Sequence, residues 1–162
     1  MRWADLERAE PAFSERVRRR FDAQKHKLIA TLRVDGSPRL SGIEVTFRDG
    51  DVWLGMMPDS RKGSDLRRDP RLALHTSSPD PSDDDPGGWI GDAKLDGRAV
   101  EVTDRAEIAR FVDAQEQMPP GSFDLFRVEI DRVVTVRVGE PADHLVIETW
   151  TPDHGLRLTT RT

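Results

Sequence analysis

Apolar positions along this chain recur with two spacings, and the shorter one dominates. Leu28 to Leu32 is a continuous apolar run bounded by Lys27 and by the turn Val34-Asp35-Gly36-Ser37, which predicts a strand buried on both faces. From Arg39 to Phe47 the pattern alternates, with Ile43, Val45 and Phe47 apolar and Gly42, Glu44 and Thr46 between them. Asp49-Gly50 then supplies a hairpin turn into a third strand, Asp51 to Met57, completing a meander. Arg71 to His75 returns to strand after Pro70 has stopped a short helix at Asp69. Within Trp89 to Val102, the stretch Leu95 to Val102 reads as a strand with a turn at Asp96-Gly97. Phe123 to Val138 is the clearest alternation: Phe126, Val128, Ile130, Val134, Val136 and Val138 share one face. Arg132 interrupts it, and a charge on such a face marks a bulge, a barrel mouth or a dimer contact.

The longer spacing gives two helices. Pro11 suits a first turn, and Phe13, Val17 and Phe21 follow as one stripe, predicting a helix packed across one end of a barrel. Asp104 with Glu107 three residues later forms a capping-box pattern, with Ile108, Phe111 and Val112 as the core face and Pro119-Pro120-Gly121 as the stop. The fold class is therefore mainly β with flanking helices.

Composition narrows the picture further. The 162 residues suit one domain, 1–162, with 36% hydrophobic against 34% charged residues, so a large exposed surface is expected. No cysteine is present, which excludes disulfides, thiolate catalysis and a thiolate zinc site. The net charge of -5 argues against general nucleic-acid binding, and Arg16, Arg18, Arg19 and Arg20 read as the solvated side of the first helix. MRWADLERAE carries charges where a signal peptide needs an apolar stretch, and no segment reaches membrane-spanning length; a cytoplasmic protein that spans no membrane is expected. Ser77 to Gly88 (SSPDPSDDDPGG) cannot supply a packed core and reads as a surface loop, with room to act as a lid. Its aspartates lack the spacing of a calcium loop, and His26, His75, His144 and His154 are scattered, so no metal site is expected.

The most telling stretch is Pro58 to Leu74, PDSRKGSDLRRDPRLAL, which puts paired cations at the start of a short helix between two strands. Ser60 stands at the N-cap position. Arg61 offers a planar fork and Lys62 a point charge, beside free backbone N–H groups at the positive end of the helix dipole. A terminal phosphate fits there.

In their order, the helix, HKLIATLRVDGSPRLSGIEVTFRDGDVWLGM and RK…DLRRDPRLAL resemble the pyridoxamine 5'-phosphate oxidase-like split-barrel flavoproteins, over about residues 13 to 138. The resemblance implies a split β-barrel that binds flavin mononucleotide (FMN) at a homodimer interface. It assigns the phosphate to Arg61 and Lys62, and the ring to strand residues Ser41, Gly42, Ile43, Glu44, Met56 and Met57, of which the two methionines also suit core filling. It also points to Trp150 and Arg157 around the C-terminal Thr-Pro-Asp-His-Gly turn, as ring or substrate contacts, although the family's Arg-Leu-His signature is missing. No serine-nucleophile motif and no tyrosine is present, so catalytic side chains are not identified; a flavin carries the redox chemistry itself. The expected function is an oxidoreductase acting on a small-molecule substrate. Related split-barrel proteins use the deazaflavin coenzyme F-420, whose anionic tail would need a basic track for which Arg67, Arg68, Lys94 and Arg98 are candidates. A carrier or sensor of flavin or haem is the alternative of another class.

Overall fold

The computed structural model describes residues 1–79, 81–113 and 123–162. Its elements run α1 (Trp3–Ala9), α2 (Pro11–Asp22), β1 (His26–Leu32), β2 (Pro38–Arg48), β3 (Asp51–Met56), α3 (Arg61–Arg68), β4 (Arg71–His75), β5 (Asp92–Glu101), α4 (Arg105–Asp113), β6 (Asp124–Val138), β7 (Leu145–Thr151) and β8 (Gly155–Arg161). The strands form one antiparallel sheet in the order β3-β2-β1-β4-β5-β6-β7-β8, and β3 also pairs with β6. That extra pairing closes β1 to β6 into a six-stranded barrel and leaves β7 and β8 as a hairpin carried by the second half of β6.

Local sequence explains most of these boundaries. Asp49 and Gly50 both take positive φ, 53° and 74°, the conformation a tight hairpin turn needs between β2 and β3. Asp104 Oδ1 accepts the N–H of Ala106 at 2.8 Å and caps α4. Phe13, Val17 and Phe21 of α2 enter the main core with Ile29, Phe47, Leu54, Leu74, Leu95, Phe126 and Ile130. A smaller cluster of Trp53, Val102, Phe111 and Leu125 lies under α4. No helix among the described residues is long and apolar enough to cross a membrane.

Four readings of the sequence are corrected. The apolar run of β1 is buried on one face only: Ile29 is fully buried while Leu28 is 39% exposed, because one side of the barrel wall faces outward at this point. Asp96-Gly97 is no turn but a register shift inside a continuous β5, with Asp96 opposite Arg132 and Gly97 opposite Ile130, so that Asp131 is the extra residue of a bulge in β6. Gly97 suits the close approach, since a Cβ there would lie 2.3 Å from the Glu129 carbonyl oxygen. The same bulge overturns the single apolar face of β6. Val128 and Ile130 point inward before it, and Val133 and Thr135 after it, which leaves Val134 and Val136 on the outward side.

The basic side of α2 is not simply solvated either. Arg20 is 4% exposed, Arg16 forms a two-point pair with Glu148 of β7, and Arg18 lies over the Phe47 ring and bonds Asp22. Glu148 also accepts the Thr135 hydroxyl at 3.0 Å. Burial would raise the Glu148 pKa, but the bonds from Arg16 and Thr135 outweigh it and hold the carboxyl below its usual value. Helix α1 was not read from the sequence; it is tied down where Arg2 grips the buried Asp51 through two bonds, the shorter 2.5 Å. The stop expected at Pro119-Pro120-Gly121 lies outside the described residues, as does Asp80 of the acidic loop.

Candidate functional site

Helix α3 is delivered by a tight turn. Asp59 adopts a left-handed φ of 58° after Pro58, and the Ser60 N–H donates to the Met57 carbonyl at 3.3 Å. Ser60 then caps the helix, its Oγ accepting the Gly63 N–H at 3.2 Å. A Cβ at Gly63 would stand 3.0 Å from Ser60 Oγ and 3.2 Å from Asp124 Oδ2, so the first turn sits hard against the barrel. Deeper in the helix, Asp65 is buried and receives Arg39 Nε at 2.6 Å, the Thr31 hydroxyl at 2.9 Å and Arg68 at 3.3 Å. Burial would raise its pKa, but those donors bring it below the ordinary carboxylate value.

The cations of α3 divide into two sets. Arg67 bonds Glu101 and Asp124 at 2.6 and 2.7 Å, and Arg68 bonds the Leu32 carbonyl and Asp65. Both are committed to holding the helix in place. Arg61, in the first turn, is exposed and has no ion pair or hydrogen bond among the described residues. Lys62 donates to the Gly42 carbonyl at 3.2 Å, its only polar contact among them. Neither cation is in an ion pair with a described residue at the positive end of this capped helix.

Beside them lies an apolar outward face. Leu28, Leu40 and Met57 are 39%, 67% and 79% exposed, and a Cβ on Gly42 would meet nothing within 4 Å. Cross-strand register continues one row through Gly42, Leu28, His75, Lys94, Val134, Thr149 and Arg157, running from β2 to β8. A cavity of about 330 Å³ lined by Gln24, Lys25, His26, Ser77, Ser78 and Pro79 opens next to this row. A second, of about 440 Å³, lies at the β7–β8 turn and is lined by residues that include Asp131, Asp153, His154 and Arg157.

The structure brings together Ser60, Arg61, Lys62 and Gly42, with Ser41 and Met57 nearby in the chain. Ile43 and Met56 are buried in the main core, so what they offer a ligand is backbone. Glu44 is exposed and pairs with Lys25 at 3.3 Å. Trp150 is 3% exposed within the main core, and Arg157 stands exposed six strand spacings from Gly42. Residues missed by sequence reasoning are the anchors of α3, Asp65, Arg39 and Thr31, which meet only in three dimensions. No group of three or more histidines, aspartates or glutamates among the described residues could hold a metal.

The donor set fits a phosphorylated flavin: two cations without an ion pair among the described residues and a helix N-terminus for the phosphate, and a glycine-flattened apolar wall for a planar ring. Comparisons with known proteins bear on the same point. In solved structures the fold matches a pyridoxamine 5'-phosphate oxidase-related, FMN-binding protein of Nostoc punctiforme, at TM-score 0.65 and 13% identity over 94% of this chain and 96% of that one. It also matches a Clostridium acetobutylicum protein related to general stress protein 26, at TM-score 0.59 and 14% identity over 84% and 92%. A haem-binding protein of Mycobacterium smegmatis matches at TM-score 0.58 and 18% identity, over 90% of this chain but 57% of that one. No curated protein matches the chain. Residues 13–137 match the model of the pyridoxamine 5'-phosphate oxidase family, and with the barrel in place, the chain belongs to that family.

Proposed function

We propose that this protein is an oxidoreductase that binds FMN on the outward face of β1 and β2 and acts on a small organic substrate as a homodimer. The observation that carries the reading is that Arg61 and Lys62 at the N-terminus of α3 have no ion pair among the described residues, in contrast to Arg67 and Arg68. Ser60, Arg61 and Lys62 would hold the phosphate, and the wall of Leu28, Leu40 and Gly42 would take the ring and exclude water from one side of it. When bound, the flavin supplies hydride or electron transfer, which fits the lack of a recognisable acid-base or nucleophile set.

The placement of Arg157 supports the dimer part of this reading. Gly42 lies in the wall of the closed barrel, whereas Arg157 lies on β8, in the hairpin that extends beyond it. If Arg157 serves the cofactor held by Lys62, it serves that of a second copy. The exposed leucines of β1 and β2 and the outward Val134 and Val136 favour the same assembly.

Two alternatives are kept on specific observations. The deazaflavin F-420 would need a basic track for its tail; Glu101, Asp124 and Asp65 take up Arg67 and Arg68, and of the four candidates Lys94 and Arg98 stay available, Arg98 at 4.0 Å from Asp131. A haem carrier is favoured by the coverage of this chain by the M. smegmatis haem-binding fold. Absorption spectra of the purified protein with each ligand separate the three.

The direct test is fluorescence titration with FMN and riboflavin. Arg61→Ala and Lys62→Ala should each weaken FMN by about tenfold to a hundredfold, about 1.5–3 kcal/mol, with riboflavin much less affected. Equal losses for both ligands would remove these residues from the phosphate site.

A further inference from the structure

We infer that His75 is a further cofactor-contacting residue of this site, its Nε2, with the Lys94 ammonium beside it, meeting the hydrogen-bonding pyrimidine edge of the flavin ring. The inference rests on the FMN reading above and adds the side of the wall at which the ring's polar edge lies.

Strand alternation turns His75 outward. Leu72 and Leu74 point into the core, 6% and 1% exposed, so Ala73 and His75 occupy the other face of β4. His75 stands directly opposite Leu28 on one side and Lys94 on the other. Starting from Gly42, where Lys62 is anchored, Leu28 is one strand spacing away and His75 two, roughly 10 Å in all, a span that the five-carbon chain from the phosphate and the part of the ring beyond its attachment point can cover. Across that span the wall is apolar, and it becomes polar at His75 and Lys94. A planar ligand with an apolar body and one polar edge matches this change.

The imidazole is also prepared for such a contact. Its Nδ1–H donates to the Thr76 carbonyl, which fixes the tautomer and leaves Nε2 facing outward. The nearest carboxylate oxygen, Asp92 Oδ2, is 3.9 Å from Nε2, too far for a hydrogen bond. Asp92 is held at that distance because its Oδ1 accepts the Ser78 hydroxyl at 2.9 Å, and Ser78 Oγ in turn accepts the Trp89 indole N–H at 2.9 Å. Both ends of the acidic loop are thereby tied beside His75. Lys94 is exposed with no polar partner among the described residues.

The test is a chemical double-mutant cycle on the full chain: titration of wild type, His75→Phe and His75→Gln with FMN and with 3-methyl-FMN, in which the ring N3–H is blocked. Wild type should bind 3-methyl-FMN three- to tenfold more weakly, the worth of one hydrogen bond, and His75→Phe should bind both within a factor of two. His75→Gln, which keeps a donor and an acceptor, should restore part of the preference. Wild type without a preference, or His75→Phe losing both ligands equally, overturns the inference while leaving the phosphate site standing. Failure of wild type to bind FMN at all overturns both.

Discussion

Helices α2 and α3 are both arginine-rich, yet they use their charge in opposite ways. In α2 the cations are turned into structure: Arg16 is paired to Glu148, Arg20 is buried, and Arg18 is spread over Phe47. In α3 only the last turn is used this way, and Arg61 and Lys62 of the first turn have no ion pair among the described residues. The structural cations are each taken up by a carboxylate, a backbone carbonyl or an aromatic face, whereas Arg61 meets none of these among the described residues and Lys62 meets one carbonyl. Charge density along the sequence does not carry that information.

The comparison is broken most forcefully at Asp65. Asp65→Ala should cost about 4 kcal/mol in urea unfolding, since it leaves Arg39, Thr31 and Arg68 without their common acceptor. If α3 is held in place chiefly by this carboxylate, FMN affinity should fall too, although Asp65 touches no ligand; unchanged stability would show that Arg67 alone fixes the helix. Glu148→Gln tests the other helix and should cost about 3 kcal/mol without changing FMN affinity. Its pH signature has a definite sign. Because the folded pKa is depressed, the stabilisation is complete above the unfolded value and is lost as pH falls through the folded one. Wild type should therefore lose stability below about pH 4.5 more steeply than Glu148→Gln, as read from melting temperatures in acid.

Smaller changes sharpen the contrast. Ser60→Ala removes the cap of α3 and should cost about 1 kcal/mol, while weakening FMN more than riboflavin, because the frayed turn is the one that faces the phosphate. Replacing the exposed Asp83 and Asp84 by serine should move stability by less than about 0.5 kcal/mol. A larger loss would mean that the acidic loop supports the barrel electrostatically.

Much of this could be read from the chain because it is local. Ser60 as cap, Asp49-Gly50 as hairpin turn, Asp104 as cap and the stripe of α2 each depend on residues a few positions apart. Readings that failed depended on distant partners. Nothing near Leu28 says that its side of the wall lacks a covering helix, and nothing near Asp131 says that β6 must bulge to leave β3 and take up β7. Arg16 looks like its neighbours until Glu148 is placed 132 residues away in the chain. His75 was legible in part: the alternation of Leu72, Ala73 and Leu74 puts it outward, but its neighbours Leu28 and Lys94 come only from register.

Closure of the barrel has a further consequence for solubility. With β3 paired to β6, β8 is left at the end of the sheet order, and its outer row of backbone donors and acceptors is a template on which another extended chain could build. Its exposed side chains include Arg157, Thr159, Thr160 and Arg161. Arg157 and Arg161 place charge on either side of the exposed Leu158, and like-charge repulsion opposes edge-to-edge pairing of two copies in any register that brings the arginines opposite one another.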